Sequence, residues 1–391
     1  MNPRPSSNWL HQRGHNLIEL MIAIAVGMIL VLAAFTVLAQ FEGNKRTTTA
    51  LNDALQSGNF GLYTIDKMAR SAGTGMGWYG ATIGYGCYLN YTPIDAATGA
   101  GGPAVSNGAV SGGLPSPFAS IGTSKLPLRL APVVIFGGAT SASGTTGGAT
   151  ALSDAMLFML GGAGYGETPI PVTGKTGPLV DTVVGFNVGD WVIDAGSNCN
   201  ITRVASGFLG SASNNVVLPL ENSSYVNQGD YIIGLGKGQA ANFILYGVDT
   251  NDSLRSVDLL NSTLATTEDV ADDVVIMRAL YMVQPVSTGT PTYVAPAAGQ
   301  IVNGTTYDYS AAALLDGSAT ANTKLRSILA VRVALIVRSA LNEKNPGNLP
   351  TAYSMFANIA GQSVTWQVPA GANYRYREIE TTIPVRNNGL L

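Results

Sequence analysis

The sequence predicts an α+β architecture in which a long N-terminal membrane-spanning α-helix is followed by a large, mostly antiparallel β-rich domain. Three observations predict it. No charged residue interrupts the apolar run from Leu20 to Ala39, about the length needed to cross a hydrocarbon core as a helix. Apolar residues then recur near helical spacing at Leu51, Leu55, Leu62, Ile65 and Met68. Beyond these, short β-branched runs are punctuated by Gly, Asn and Asp.

Composition bounds the function. Of 391 residues, 46% are hydrophobic and 12% charged, enough apolar material for a sizeable core and too little charge for a disordered acidic or basic tail. A formal net charge of -3 leaves no basic stripe to neutralise phosphates, so nucleic acid is not an expected partner.

The segment before the apolar run carries Arg4 and Arg13 and no acid. The positive-inside rule therefore keeps it in the cytoplasm and sends the bulk of the chain across. A secretory signal would place a small-residue cleavage site after the apolar run, and none stands out in QFEGNKRTTTALN. Instead Arg13-Gly14 precedes His15-Asn16-Leu17-Ile18-Glu19, with an acid at the start of an apolar helix. A carboxylate there is costly, by about 2.5 to 3.5 kcal/mol at mid-bilayer and less near the interface, so it calls for a partner or a function.

This order resembles the signal of type IV prepilins, in which a dedicated peptidase cuts after a glycine on the cytoplasmic side of the apolar stretch. Gly14 matches that glycine, His15 becomes the first mature residue, and Glu19 falls at the fifth position, where the family has a glutamate. The resemblance implies that Glu19 meets the free N-terminal amine of a neighbouring subunit during assembly. The physics agrees: an acid in the first turn suits the positive end of the helix dipole, and a cationic amine offsets its desolvation. Two positions depart from the family pattern. His15 stands where an N-methylated phenylalanine is usual, and Thr36 where many pilins have a helix-kinking proline. A plain signal anchor is the alternative for this segment, and the N-terminus alone identifies a superfamily that includes secretion-system pseudopilins.

The helix is expected to continue to about Ala72, although Gly58 and Gly61 weaken its pattern, and to stop at the glycine-rich run from Gly73 to Gly77. Arg70, Ala72-Gly73 and Gly86-Cys87 resemble the segment that follows the membrane helix in PilW-family minor pilins. ILAVRVALIVRS, from Ile328, resembles a strand of the same family, and YRYREIETTIPVRNN its terminal strand. The resemblance implies a pilin-like β-rich domain. Its segments are 1–14 as leader, 15–40 as transmembrane helix, 41–72 as the periplasmic continuation of that helix, and 73–391 as the globular domain.

Cys87 and Cys199 are the two cysteines. Both fall in the part expected outside the cytoplasm, where an oxidising compartment favours pairing, and they are read as one disulfide rather than two separate thiols. Closing a loop of that length removes roughly 4 to 5 kcal/mol of unfolded-chain freedom.

From about Thr92 to Thr150 the chain is crowded with Gly, Ala, Ser, Thr and Pro and reads as long loops with short ordered pieces such as LRLAPVVIF. Strands are expected at DAMLFML, DTVVGFNV, DWVIDA, NNVVLPL, DYIIGLG, NFILYGVD, DVVIMRALYMV and SVTWQV. Gly189-Asp190-Trp191 and Gly229-Asp230-Tyr231 repeat one turn-into-strand pattern, explained by recurring turn chemistry. Periodicity leaves strand and helix open for ILAVRVALIV. Arg326, Arg332 and Arg338 are read as a solvated strand face in preference to pilus-contact residues.

Catalytic patterns are thin. His11 and His15 are the two histidines, so the expected external domain has none for a triad or a usual zinc site. No SxxK or GxSxG occurs. The glycine-rich pieces at Gly161 to Gly166 and Gly234 to Gly238 lack the helix or the Walker spacing that phosphate binding needs. Asp249, Asn251 and Asp252 offer oxygen ligands of the kind calcium takes, but without the distal glutamate of an EF-hand they read as a polar hairpin turn. No cofactor or metal is expected. The resemblance implies a structural minor pilin that initiates or caps a type IV pilus. Its partners would be other major and minor pilins, the prepilin peptidase and the inner-membrane assembly machinery. A single-pass inner-membrane location with a periplasmic domain, followed by incorporation into an extracellular pilus, goes with it. The alternatives are a type II secretion pseudopilin and a pilus-displayed adhesin.

Overall fold

A computed structural model describes residues 16–76, 85–93, 102, 104–162, 169–174, 177–196, 198–210, 216–224, 226–285, 289–343 and 349–386. It divides into two compact units, Met1–Ala50 and Leu51–Leu391. Helix α1, Leu17–Ser71, begins in the first and ends in the second. The architecture is the expected one: a long apolar N-terminal helix followed by a large, mostly antiparallel β domain.

Within the second unit, α1 ends where glycine permits a reversal. Gly73 and Gly75 adopt φ of 82° and 73°, and the amide of Gly73 donates to the carbonyl of Met159 at 2.9 Å. Arg70 in the last turn pairs with Asp66 one turn earlier at 2.7 Å. The buried face consists of Ala54, Gly58, Gly61, Leu62, Ile65 and Ala69. Gly58 and Gly61 lie at its tightest points. A Cβ added at Gly58 would come within 2.5 Å of Val337 Cγ1, and one at Gly61 within 2.9 Å of Leu254 Cδ2. These glycines weaken intrinsic helicity, yet their lack of a side chain lets the sheets approach the helix backbone.

Three larger sheets make up the domain. The first, seven-stranded, holds Asp190–Ala195 between Cys199–Arg203 and Tyr231–Lys237. The second, also seven-stranded, is organised around a long hairpin of Val133–Thr146 and Ala149–Leu160. The third runs Thr292–Val294, Val274–Val283, Ile328–Arg338 and Tyr376–Pro384 in order. Cys87 and Cys199 form a disulfide with a Cα–Cα distance of 5.5 Å. Beside it, Leu89–Asn90 pairs in parallel with Cys199 and Asn200, tying the segment after α1 to the first sheet.

The long hairpin corrects the loop expected between Thr92 and Thr150. Its turn, Gly147-Gly148, has φ of 59° and 84°, the two positive values of a tight hairpin turn. Register shifts between Phe136 and Thr140 and between Ser141 and Thr145 take up the other glycines as bulges. Gly144, at φ 88°, leaves room for Trp366, whose indole donates to the Ser143 carbonyl at 2.7 Å. Composition treats such glycines as breakers, whereas here they are bulge and contact positions. A second correction concerns DTVVGFNV, which forms bends and turns in place of a strand. Gly185 is at φ 97°, and Val183 and Phe186 turn into a local core with Val192 and Ile232. NNVVLPL contributes only the two-residue strand Val216–Val217.

The Gly-Asp repeat is one turn built twice. Asp190 Oδ2 accepts from the Asn187 amide at 2.7 Å, and Asp230 Oδ2 from the Asn227 amide at 2.7 Å. Gly189 and Gly229 are both at positive φ, and the two strands that follow are antiparallel neighbours.

The run ILAVRVALIV, left open between strand and helix, is the strand Ile328–Arg338, and both of its faces are covered. Val331, Val333 and Leu335 enter the main core with α1, while Ala334 and Ile336 enter a second core around Phe356 and Trp366. Double coverage removes the alternation that would have marked it as a strand. Its two arginines correct the solvated-face expectation, and Arg326, the third residue of that reading, ends the short helix Ala319–Arg326 instead of lying on the strand. Arg332 pairs with Glu380 at 2.5 Å, its side chain 18% exposed, and Arg338 pairs with Asp252 at 2.8 Å, its side chain 26% exposed. Beside the first pair, burial and a hydrogen bond to Glu380 push the Glu378 carboxyl up to about 8, while Glu380 is held below its usual range.

Two outcomes follow from this packing. Gly58→Val forces atoms into Val337 and Ile379 and is expected to destabilise the chain by about 1 to 3 kcal/mol; a thermal midpoint equal to that of the parent in the same detergent would contradict the close approach. Because the folded value of Glu378 lies above the unfolded one, its contribution is full below about pH 4.5 and is lost as pH rises toward 8. Glu378→Gln, neutral at every pH, should therefore melt higher relative to the parent at pH 8.5 than at pH 4. Melting curves at the two pH values check this, and a gap that does not widen at alkaline pH counts against it.

Candidate assembly face and buried charges

The predicted cleavage pair, Gly14 and His15, lies outside the described residues. Glu19 sits in the first turn of α1, its amide donating to the Asn16 carbonyl at 2.9 Å. Its carboxylate makes no hydrogen bond or ion pair with another described residue. Glu19 is the one charged residue from Asn16 to Phe41. Over that stretch the large apolar side chains point outward on every side: Leu17 is 72% exposed, Phe35 64%, Leu38 62% and Phe41 69%. The helix is long and apolar enough to cross a membrane. Thr36 keeps the helix, and its hydroxyl donates to the Ala33 carbonyl at 2.8 Å.

A helix apolar all round cannot face water. Each large side chain left exposed forgoes about 1.5 to 3 kcal/mol of burial, so this stretch requires lipid or other apolar helices around it. The lone carboxylate at its N-terminal end is costly wherever that cover is apolar.

The other residues singled out in the sequence resolve into structural roles. Asp249 shapes a hairpin between Asn242–Val248 and Ser253–Asp258: Oδ1 accepts from the amides of Asn251 at 2.9 Å and Ser253 at 3.0 Å, and Oδ2 accepts from Arg255 at 3.0 Å. Asp252 is taken by Ser143 at 2.6 Å and by Arg338. No group of three or more metal-ligating side chains occurs among the described residues. Gly161 and Gly162 donate to the carbonyls of Thr74 and Leu235, joining chain segments, and the rest of that glycine run lies outside the described residues. Gly234 and Gly236 flank a bulge in a strand.

What the sequence did not bring forward is a buried charge at the junction of two sheets. Asp154 is 1% exposed. Its Oδ1 accepts from the amide of Gly138 at 2.9 Å and from Arg278 Nη1 at 3.1 Å, and its Oδ2 from the amide of Ala279 at 2.8 Å. Burial pushes its carboxyl up, while Arg278 and the two amides pull it back. Next to it, Ser153 Oγ accepts from the Met277 amide at 2.9 Å and donates to the Met277 carbonyl at 3.0 Å. These side chains act as a ladder between Ala149–Leu160 of the second sheet and Val274–Val283 of the third. The signal in the sequence was an acid opening an otherwise apolar run, DAMLFML.

Comparison with known proteins finds matches for two segments of the chain. Residues 239–387 match the family model for PilW, type IV pilus-assembly protein W, and residues 9–35 match the prokaryotic N-terminal methylation motif. The second match contains Gly14, His15 and Glu19; the first contains the whole third sheet, with the Arg332–Glu380 pair and Arg278. No curated protein and no solved structure matches the chain significantly. With its apolar N-terminal helix and the antiparallel β domain that follows, the chain matches a PilW-family pilin carrying a prepilin signal.

Proposed function

We propose that the chain is a minor pilin that helps to initiate or cap a type IV pilus by docking its N-terminal helix against those of other pilins. The observation that carries this reading is the outward-facing apolar surface from Leu17 to Phe41 with Glu19 alone at its start. In the membrane, lipid covers that surface and gives neighbouring helices no hydrophobic reason to associate, so packing and a charge pair must supply the preference. Glu19 supplies the anion. Cleavage after Gly14 frees the cation, the α-amine of His15, four residues before the Glu19 of its own chain and at the corresponding depth in a neighbour. Once the subunit leaves the bilayer, pilin helices replace lipid as the cover.

The segments then divide the work. Residues 1–14 are a leader kept in the cytoplasm by Arg4 and Arg13. Residues 15–40 span the inner membrane, 41–72 continue the helix in the periplasm, and 73–391 form the domain that presents lateral or tip contacts in the fibre. The partners are the prepilin peptidase, major and minor pilins and the inner-membrane assembly machinery, and the role is structural rather than catalytic.

The test is the N-terminal mass of the protein recovered from membranes of cells with and without the prepilin peptidase. A chain beginning at His15 only when the peptidase is present is expected, and an intact leader in both strains overturns the reading. In the same cells Glu19→Ala should reduce surface pili severely while leaving the protein in the membrane; normal piliation at native expression levels would remove Glu19 from assembly.

A further inference from the structure

The Asp154–Arg278 pair stands at the floor of a cavity of about 280 Å³, walled by the Ala295–Ala297 segment, Gln300, Phe356 and the segment 361–364. Three features set it apart from an accidental hollow. Nη1 of Arg278 is committed to Asp154 and to the Leu152 carbonyl at 3.2 Å, while its Nε and Nη2 hydrogen-bond to no described residue. Gln362, 5% exposed, lines the cavity, and its side-chain amide hydrogen-bonds to no described residue, so water in the cavity is its partner and a ligand could replace that water. Phe356, fully buried, holds a φ of 58°, which an aromatic residue adopts only when its surroundings impose it.

Those surroundings are identifiable. The Phe356 amide donates to Glu380 Oε1, Glu380 is paired with Arg332, and Arg332 Nη2 donates to Asn358 Oδ1 at 3.0 Å. The loop that carries Gln362 and Ser363 is thereby braced from behind. The floor is braced as well, because Asp154 receives three N–H donors and holds the guanidinium plane in place. With its oxygens occupied, Asp154 neutralises one side of Arg278 and leaves the other side of the fork for an anion.

From this arrangement we infer that the cavity is a binding site for a carboxylate carried on a stem about the size of one amino-acid residue or one sugar ring. The carboxylate takes the free edge of Arg278 and the amide of Gln362; Gln300 and Ser363 complete its polar shell, and Ala295, Pro296 and Ala297 cover the stem. Acidic peptide residues and uronic sugars share this chemistry. The inference does not depend on the assembly role of the N-terminal helix.

The test is titration calorimetry of the full chain in detergent micelles with N-acetyl-L-glutamate, D-glucuronate and the uncharged control N-acetyl-L-glutamine. At least one of the two acids is expected to bind saturably in the millimolar range or below, about tenfold or more tighter than the neutral amide. The tighter acid assigns the source, peptide or saccharide, and either supports the site. Arg278→Ala strips the partner from a buried carboxylate and risks misfolding, so the decisive variants are Arg278→Lys, which keeps the charge but loses the fork, and Gln362→Leu, which keeps the volume. Each should weaken binding about tenfold with the near-UV circular dichroism intact. Absence of saturable binding of both acids to the folded chain, equal binding of the neutral amide, or full affinity in both variants overturns the inference.

Discussion

The domain depends on how closely α1 lies against the sheets. At Gly58 and Gly61 no side chain stands between the helix backbone and Val337, Ile379, Leu254 and Ala271, so one helix face touches strands of both the second and the third sheet. Bulk there would hold the elements apart and open space in a core whose packing contributes through many short contacts. Two residues of poor helix propensity are tolerated because burial of Leu62 and Ile65 against the sheets exceeds the roughly 1 kcal/mol that each glycine costs a helix.

Around that contact the sheets are joined by polar groups as well as by apolar packing. Val274–Val283 borders the second sheet without continuing it, and its amides at Met277 and Ala279 are answered by Ser153 and Asp154. Buried backbone donors need partners, and here side chains provide them where no strand is adjacent. The carboxylate that fills this role also fixes Arg278, so a structural requirement at the sheet junction prepares the floor of the cavity. Arg332 and Glu380 do the same for its wall. The arginines of the third sheet are thus part of the internal framework of the region that matches PilW.

The two compact units differ in what they expose. The N-terminal stretch exposes its apolar residues on all sides and keeps one acid, which suits an environment of lipid tails and other helices. The second unit buries its apolar residues in three cores and is tied by a disulfide closing 112 residues of chain, a combination suited to water in an oxidising compartment. The membrane-anchored pilin proposed above requires both in one polypeptide.

Much of this was legible in the sequence, for reasons that are local. A span needs only length and apolarity, and Leu20 to Ala39 supplies both. The methylation motif within residues 9–35, most of the β-branched runs, and the Gly-Asp turns before Trp191 and Tyr231 carry their meaning within a few residues of chain. Other features required tertiary structure. The Gly-Gly and Gly-Ser-Thr stretch after Phe136 has the composition of a loop and becomes a hairpin because bulges and the indole of Trp366 use its missing side chains. ILAVRVALIV has no visible period because helix and loops cover both of its faces. Gly58 and Gly61 read as weak helix positions until the strands they admit are in place. Asp154, Arg278 and Gln362 come from segments far apart in the chain, and their proximity exists only once two sheets meet. Sequence determined the elements whose physics is local, and the fold decided those whose partners come from other elements, many of them more than a hundred residues away.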